Sequence, residues 1–344
     1  MRTTRLAMVG LGNVGRRLLE LIDLKRALLR ERFDLELVIA GAVDTTGGAM
    51  AANRNGLDAR EILRLKRDKQ GIAAYSRRGK PGMTPQQLVD AVDADILVEL
   101  SLTNLKDGEP GLSTIRAALA RKMNVVTANK GPLVLAFQDL TALAHENSVR
   151  LLYSATVTGG LPTLNIGARD LGATVIDKFE GVVNGTTNYI LARMTEGQAY
   201  ADALKHAQDI GMAEADPTLD VDGWDAANKL VIIANAVLHH PTALQDVSVE
   251  GIRKVTQDDL RAAERHRQVI KLLALAEKVG KEDYRLSVAP ARLDKTHPLA
   301  NVGAGMMGVI YQTDINGTIF ATIEEDDPYP TAAGVLRDII QAAS

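Results

Sequence analysis

The sequence has no cysteine and little aromatic material: one Trp, four Phe and seven Tyr in 344 residues. Without cysteine there is no disulfide, no thiol nucleophile and no thiolate-bound metal, which fits an intracellular setting. A surplus of either charge is missing too. Forty basic side chains face 43 acidic ones, a formal net charge of -3, against the basic footprint that nucleic-acid binding needs. The locally basic run from Arg60 to Arg78 is interrupted by Glu61 and Asp68 and reads as a solvated helix and loop. No apolar run approaches the roughly 20 residues that cross a bilayer. Met1 to Gly15 enters a strand directly, with no charged and then apolar leader. These absences predict a cytoplasmic chain that handles a small molecule, not nucleic acid or membrane.

What is present is hydrophobic material enough for real cores, 46% of the chain, and length enough for two domains. Over the first 150 residues, strands are predicted at Arg5–Val9, Leu35–Val43, Asp95–Leu100 and Asn124–Thr127. Between and after them come helices at Val14–Arg30, Ala59–Lys66, Ser113–Arg121 and Leu133–Glu146. Short apolar runs alternating with helices are what a doubly wound parallel sheet requires. Beyond residue 150 glycine becomes frequent. A strand is predicted at Val175–Val183, long helical segments at Gly223–Leu238 and Asp258–Lys278, and strands between Tyr284 and Ile323. A last helix, Thr331–Ala343, opens at Pro330 and Thr331. The fold reading is α/β: a Rossmann-type dinucleotide domain over 1–150, an α+β domain over 151–320, and a C-terminal helix over 321–344 that packs back on the first.

Gly10-Leu11-Gly12-Asn13-Val14-Gly15 fits G-x-G-x-x-G between a strand and an amphipathic helix. In such a turn the first glycine permits the tight bend and the second lets a pyrophosphate approach the backbone. The third lets helix and sheet pack closely, and the helix N-terminus favours the phosphate charge. Gly10, Gly12, Asn13, Val14 and Gly15 are therefore expected to bind the cofactor. Asp44 closes the second strand, where an acid accepts ribose hydroxyls and favours NAD, whereas Arg54 would meet the 2′-phosphate of NADP. The plainer alternative for Asp44 is a strand terminator.

Three further segments carry polar chemistry. Val125–Pro132 sets Lys130 at the carboxyl end of a strand, facing the crevice where parallel sheets bind ligands, against the ordinary alternative of a solvated lysine. Asn184-Gly185-Thr186-Thr187-Asn188-Tyr189 leads a strand into a helix through small residues. Its N–H groups suit a carboxylate, or Thr186 or Thr187 simply caps the helix. Gly211–Lys229 carries Glu214, Asp216, Asp220 and Asp222 in a loop that leads into a helix on which Asp225 and Lys229 share a face. Alone, that pair ranks as a surface ion pair.

Taken in order, the Gly10 turn, Thr127–Lys130, Asn184–Tyr189, Ala213–Pro217 and Lys229 resemble homoserine dehydrogenase. The resemblance implies reversible NAD(P)H-dependent reduction of aspartate 4-semialdehyde to homoserine, a step toward threonine and methionine, by a homodimer joined through the second domain. It implies Lys229 as proton donor, Asp225 holding that lysine, and Lys130 between cofactor and substrate. Glu214, Asp220, Gly185 and Thr186 would bind the substrate's polar groups. It also implies a structural Na+ or K+ on the backbone of Ser154, Val157 and Gly159, with Ser154 standing where an acid is common. The chemistry is coherent: hydride addition creates an alkoxide that needs a cation and a proton. A lysine amine, ordinarily of pKa about 10.4, is charged near neutrality, so oxidation is expected to favour alkaline pH.

The pattern breaks at Glu324-Glu325-Asp326-Asp327-Pro328-Tyr329-Pro330, where four acids and two prolines replace the family's glycine-rich loop. The stretch Gly303–Gly317, with Met306, Met307 and Tyr311, departs as well. Two alternatives stay open on this sequence. One is a family branch acting on a related amino-acid semialdehyde or hydroxy acid. The other is a silent dinucleotide-binding protein, against which Lys130, Asp225 and Lys229 argue. No regulatory extension is expected after residue 344.

Overall fold

The computed structural model describes residues 1–281, 283–325 and 327–344, so Asp326 of the acidic run lies outside the described residues. The chain forms two units, Met1–Gly160 with Asp327–Ser344, and Leu161–Asp326.

Among the described residues the first unit contains a seven-stranded sheet of order β4-β3-β2-β1-β5-β6-β7. Its strands are β1 (Arg2–Val9), β2 (Leu35–Asp44), β3 (Gly47–Met50), β4 (Gly79–Pro81), β5 (Ile96–Glu99), β6 (Asn124–Thr127) and β7 (Leu151–Leu152). The strands from β2 through β7 in that order run parallel, and β3 and β4 extend the sheet antiparallel beside β2. Leu6, Ala7, Met8 and Val98 expose nothing, as a sheet covered on both faces demands. The helices are α1 (Asn13–Leu24), α2 (Arg26–Phe33), α3 (Ala59–Arg67), α4 (Pro85–Ala91), α5 (Gly111–Ala120) and α6 (Lys130–Glu146). The single helix expected over Val14–Arg30 is thus two, broken at Lys25. Strand order reverses between β1 and β5, and that reversal opens the ligand crevice at their carboxyl ends.

The C-terminal helix, Tyr329–Ala342, belongs to this unit. Val335 and Ile339 join the core that holds Leu18 and Leu19 of α1. The Tyr329 hydroxyl donates to Glu20 at 2.7 Å, and the Arg17 guanidinium lies 4.6 Å from the centre of the Tyr329 ring. Asp327, from the acidic run, accepts the Tyr329 N–H at 2.6 Å and so serves the start of this helix.

The second unit has, among the described residues, a six-stranded sheet of order β13-β12-β8-β10-β11-β9. These are β8 (Ile176–Val182), β9 (Ser248–Val249), β10 (Gln268–Lys278), β11 (Tyr284–Asp294), β12 (Met307–Thr313) and β13 (Gly317–Ile323). Its helices are α7 (Thr163–Asn165), α8 (Gly185–Thr195), α9 (Tyr200–Asp209), α10 (Thr218–Val221), α11 (Trp224–Ala236) and α12 (Gln257–Arg265). Every residue of α11 from Ala226 to Ala236 is buried, which explains why its apolar residues are not confined to one face. The long helix expected over Asp258–Lys278 is a correction. Helix α12 stops at Arg265, Arg267 takes a left-handed φ of 58°, and the chain continues as β10, paired antiparallel to both β8 and β11. Residues 270–274 of that strand are all buried. A strand covered on both faces loses its alternation, and periodicity cannot then separate it from a buried helix. Among the described residues no helix is long and apolar enough to cross a membrane.

Candidate active site

In the first unit, the register aligns Val9 with Val43 and with Glu99, and Glu99 with Thr127. The glycine turn, Asp44, Glu99 and Lys130 therefore follow the ends of neighbouring strands. Gly10 adopts φ +92°, and a Cβ there would meet the Leu100 carbonyl oxygen at 2.3 Å. A Cβ at Gly15 would meet the Gly10 oxygen at 2.4 Å, whereas the space beside Gly12 is open. Two glycines thus close the turn and the middle one leaves room at the start of α1, a cradle that fits a pyrophosphate. Arg16, which sequence reasoning did not single out, donates to the Gly12 carbonyl at 3.3 Å and to Asn13 Oδ1 at 2.7 Å. It adds a positive charge beside Asn13 and Val14.

Asp44 is held from within the protein. Its Oδ1 accepts from the Thr46 N–H at 2.8 Å and hydroxyl at 2.6 Å, and its Oδ2 from Lys66 Nζ at 2.7 Å and the Ile72 N–H at 3.1 Å. Burial acts to raise this carboxyl, but the bonds from Lys66, Thr46 and Ile72 outweigh it and hold it below the ordinary carboxylate range. Arg54 is exposed, and its carbonyl accepts from Arg5.

Lys130 is the first residue of α6, capped by Asn129, whose Oδ1 accepts the Gly131 N–H at 3.0 Å. Beneath it lies a buried network absent from the sequence reading. Glu99 Oε1 accepts the N–H and hydroxyl of Ser101, and Oε2 accepts from the Thr127 hydroxyl at 3.2 Å. Asn129 donates from Nδ2 to Ser101 Oγ at 3.2 Å. Burial pushes the Glu99 carboxyl up, against the pull of these bonds. The available signal was a charged residue ending an otherwise apolar strand.

In the second unit the polar segments converge. Asn184 caps α8, with Oδ1 accepting the Thr187 N–H at 2.8 Å. Its Nδ2 donates to Asp220 Oδ1 at 2.7 Å and to Asp225 Oδ2 at 2.9 Å. Lys229 Nζ lies 2.7 Å from that same Asp225 oxygen and donates to the Val183 carbonyl at 2.6 Å. The two charged side chains are only 11% and 14% exposed, so this is a largely buried pair, not the surface pair that spacing alone suggested. Gly185 and Thr186 begin α8, and the Thr186 hydroxyl donates to the Met212 carbonyl at 3.0 Å. Glu214 stands exposed two residues further on, its carbonyl accepting from Gln208 at 3.1 Å. The cap of α8 is thus Asn184, not Thr186 or Thr187 as the sequence suggested, and its gathering of the acids was not legible there.

The segment expected to hold a monovalent cation lies in the first unit beside Asp338 and Arg337. Ser154 donates to the buried Asp338 from its N–H at 2.8 Å and its hydroxyl at 2.6 Å. Burial pushes the Asp338 carboxyl up. Arg337 donates to Ser154 Oγ at 3.0 Å and to the Gly160 carbonyl at 3.4 Å. The Val157 carbonyl accepts from the Thr158 hydroxyl at 2.7 Å. A guanidinium thus already serves the loop that contains Gly159.

Comparison with known proteins agrees with this assembly. The family model for homoserine dehydrogenase matches residues 162–340. The chain is 37% identical over 344 residues to the NAD(+)-dependent homoserine dehydrogenase of Pseudomonas canavaninivorans, with 99% of this chain and 96% of that protein covered. It is 32% identical to homoserine dehydrogenase of Methanocaldococcus jannaschii, with 97% and 96% covered. A hyperthermophilic archaeal homoserine dehydrogenase solved in complex with NADPH matches at a TM-score of 0.85 and 28% identity, covering 99% of this chain and 98% of that one. The homoserine dehydrogenase structure from Thermoplasma acidophilum matches at 0.81 and 30% identity, covering 99% of each. The glycine cradle, the Lys229–Asp225 pair and these near full-length matches lead to one assignment: the chain belongs to the homoserine dehydrogenase family of NAD(P)-dependent oxidoreductases.

Proposed function

We propose that the chain interconverts L-aspartate 4-semialdehyde and L-homoserine, with Lys229 giving the proton to the carbonyl oxygen in reduction and taking it back in oxidation. The observation that carries this is the ammonium itself, largely buried, 2.7 Å from Asp225 Oδ2 and donating to the Val183 carbonyl at 2.6 Å. When bound, the nicotinamide supplies or accepts the hydride. As the aldehyde oxygen gains negative charge, Lys229 stabilises it and delivers a proton, yielding the alcohol. Asp225 holds the amine and aims it. Asp220 and Glu214 receive the substrate's ammonium, and the N–H groups of Gly185 and Thr186 at the start of α8 receive its carboxylate. Lys130, the first residue of α6, complements the negative groups of the cofactor.

NAD is the proposed preferred cofactor. An ionised Asp44 at the end of β2 supports this, as does the name of the Pseudomonas relative. The first 150 residues are assigned to dinucleotide binding and 151–320 to substrate and to homodimer formation, in a cytoplasmic enzyme on the route to threonine and methionine. A cation on the backbone of Ser154, Val157 and Gly159 would meet the like charge of Arg337, so we propose that the guanidinium takes its structural part. The test is nicotinamide absorbance with homoserine and NAD or NADP, for the wild type and Lys229→Met. Wild-type turnover, reduced by a factor of about 10² to 10⁴ in the variant, is expected. A wild type inert to homoserine would overturn the reading.

A further inference from the structure

A second lysine is buried in the same unit and has no part in the reaction just described. Lys271 lies on β10, 7% exposed. It shares a strand face with Val269 and Leu273, which pack in an apolar cluster with Val182, Leu299, Val302 and Ile310. Its ammonium donates to Asn188 Oδ1 at 2.7 Å and to the Val302 carbonyl at 2.8 Å. Asn188, 1% exposed, passes the grip on, donating from Nδ2 to the carbonyls of Gly303 at 2.6 Å and Met306 at 2.9 Å. Three carbonyls of the 302–306 loop are thus drawn inward by two side chains.

That loop lies against the turn assigned to the substrate. A Cβ on Gly185 would stand 2.7 Å from the Gly305 carbonyl oxygen, and one on Gly305 would stand 3.1 Å from the Met212 methyl. Met212 in turn accepts the Thr186 hydroxyl through its carbonyl. Asn188 sits four residues, about one helical turn, after Asn184, the cap that holds Asp220 and Asp225. Movement of Asn188 would therefore carry the substrate end of α8 with it.

We infer that Lys271 is a positioning residue: through Asn188 and the 302–306 loop it fixes the Gly185–Thr186 turn in the geometry that receives the substrate's carboxylate. The inference rests on the substrate assignment above. The acceptors Lys271 has are neutral, and no carboxylate is recorded within ion-pair distance of it among the described residues. Such a group is a poor device for stability, because an apolar side chain of similar shape avoids the desolvation. Burial accordingly pushes its pKa down to about 8. What the ammonium secures is the placement of the loop.

Lys271→Met separates placement from stability. The variant is expected to melt no lower than the wild type. Its KM for homoserine should rise about tenfold, with kcat within about threefold and the cofactor KM unchanged. Hydrogen exchange over residues 302–306 and 185–188, read without substrate, should quicken. Asn188→Asp, which keeps the acceptor for Lys271 but loses the two donations to the loop, should raise the homoserine KM in the same way. A lower melting point with an unchanged homoserine KM, or unchanged exchange in the loop, would overturn the inference. Wild-type inactivity toward homoserine would instead defeat the substrate assignment, and the exchange data would still decide whether Lys271 holds the loop.

Discussion

Lys229 and Lys271 are buried in the same unit by opposite means. Lys229 stands on α11 beside a carboxylate four residues away, with its charge balanced by that partner. Lys271 stands on β10 among neutral acceptors, with its charge unbalanced inside an apolar cluster. The difference separates two uses of one side chain. An ammonium that takes part in chemistry needs a counter-ion to stay charged in a low-dielectric site. One that only organises carbonyls needs acceptors, and it pays in desolvation.

After loss of Lys229 itself, the largest effect is expected from Asp225→Asn, which turns the surroundings of Lys229 into those of Lys271. Turnover should fall at least tenfold, and stability by a few kcal/mol, because the charge left behind loses its partner. Kinetics and thermal melting check both. The next effect is on pH dependence. With its folded pKa near 8, below the ordinary lysine value of 10.5, Lys271 releases a proton that the unfolded chain still binds between those values. Wild-type stability relative to Lys271→Met should therefore rise with pH across that window. Melting curves from pH 7 to pH 10 should show the advantage of the Met variant shrinking.

Asp44 and Lys66 extend the comparison to a pair in the first unit. Lys66→Met should leave Asp44 with more negative potential at the end of β2 and raise the NAD-to-NADP ratio of kcat/KM severalfold. Asp44→Asn should lower it. A ratio unmoved by both changes would place cofactor choice elsewhere. The smallest effect concerns Arg337, whose guanidinium donates to Ser154 and to the Gly160 carbonyl. At constant ionic strength, replacing Na+ or K+ with a bulky organic cation should leave the melting temperature unchanged. A saturable, ion-specific rise would restore the expected cation site.

Legibility followed the range over which each feature is decided. The Gly10–Gly15 turn could be read because the demands on its glycines are met within a few residues and the flanking strand and helix. The Asp225–Lys229 spacing showed a shared helix face, but Asn184, 41 residues before Asp225, is what gathers Asp220 and Asp225 together, and no local pattern announces that. Asp44 was visible as a strand end, while Lys66 and Ile72, which occupy its second oxygen, approach from 22 and 28 residues away. The strand Gln268–Lys278 was read as helix because burial on both faces erased its alternation. Lys271 went unnoticed with it, since a lysine in a presumed amphipathic helix looks solvated.

The measurement that tests the central claim most directly is homoserine oxidation followed by nicotinamide absorbance, wild type beside Lys229→Met at matched cofactor saturation. Wild-type turnover that collapses by a factor of about 10² or more in the variant, with cofactor binding intact, is the predicted result. Turnover that survives the loss of Lys229 would contradict the role assigned to it.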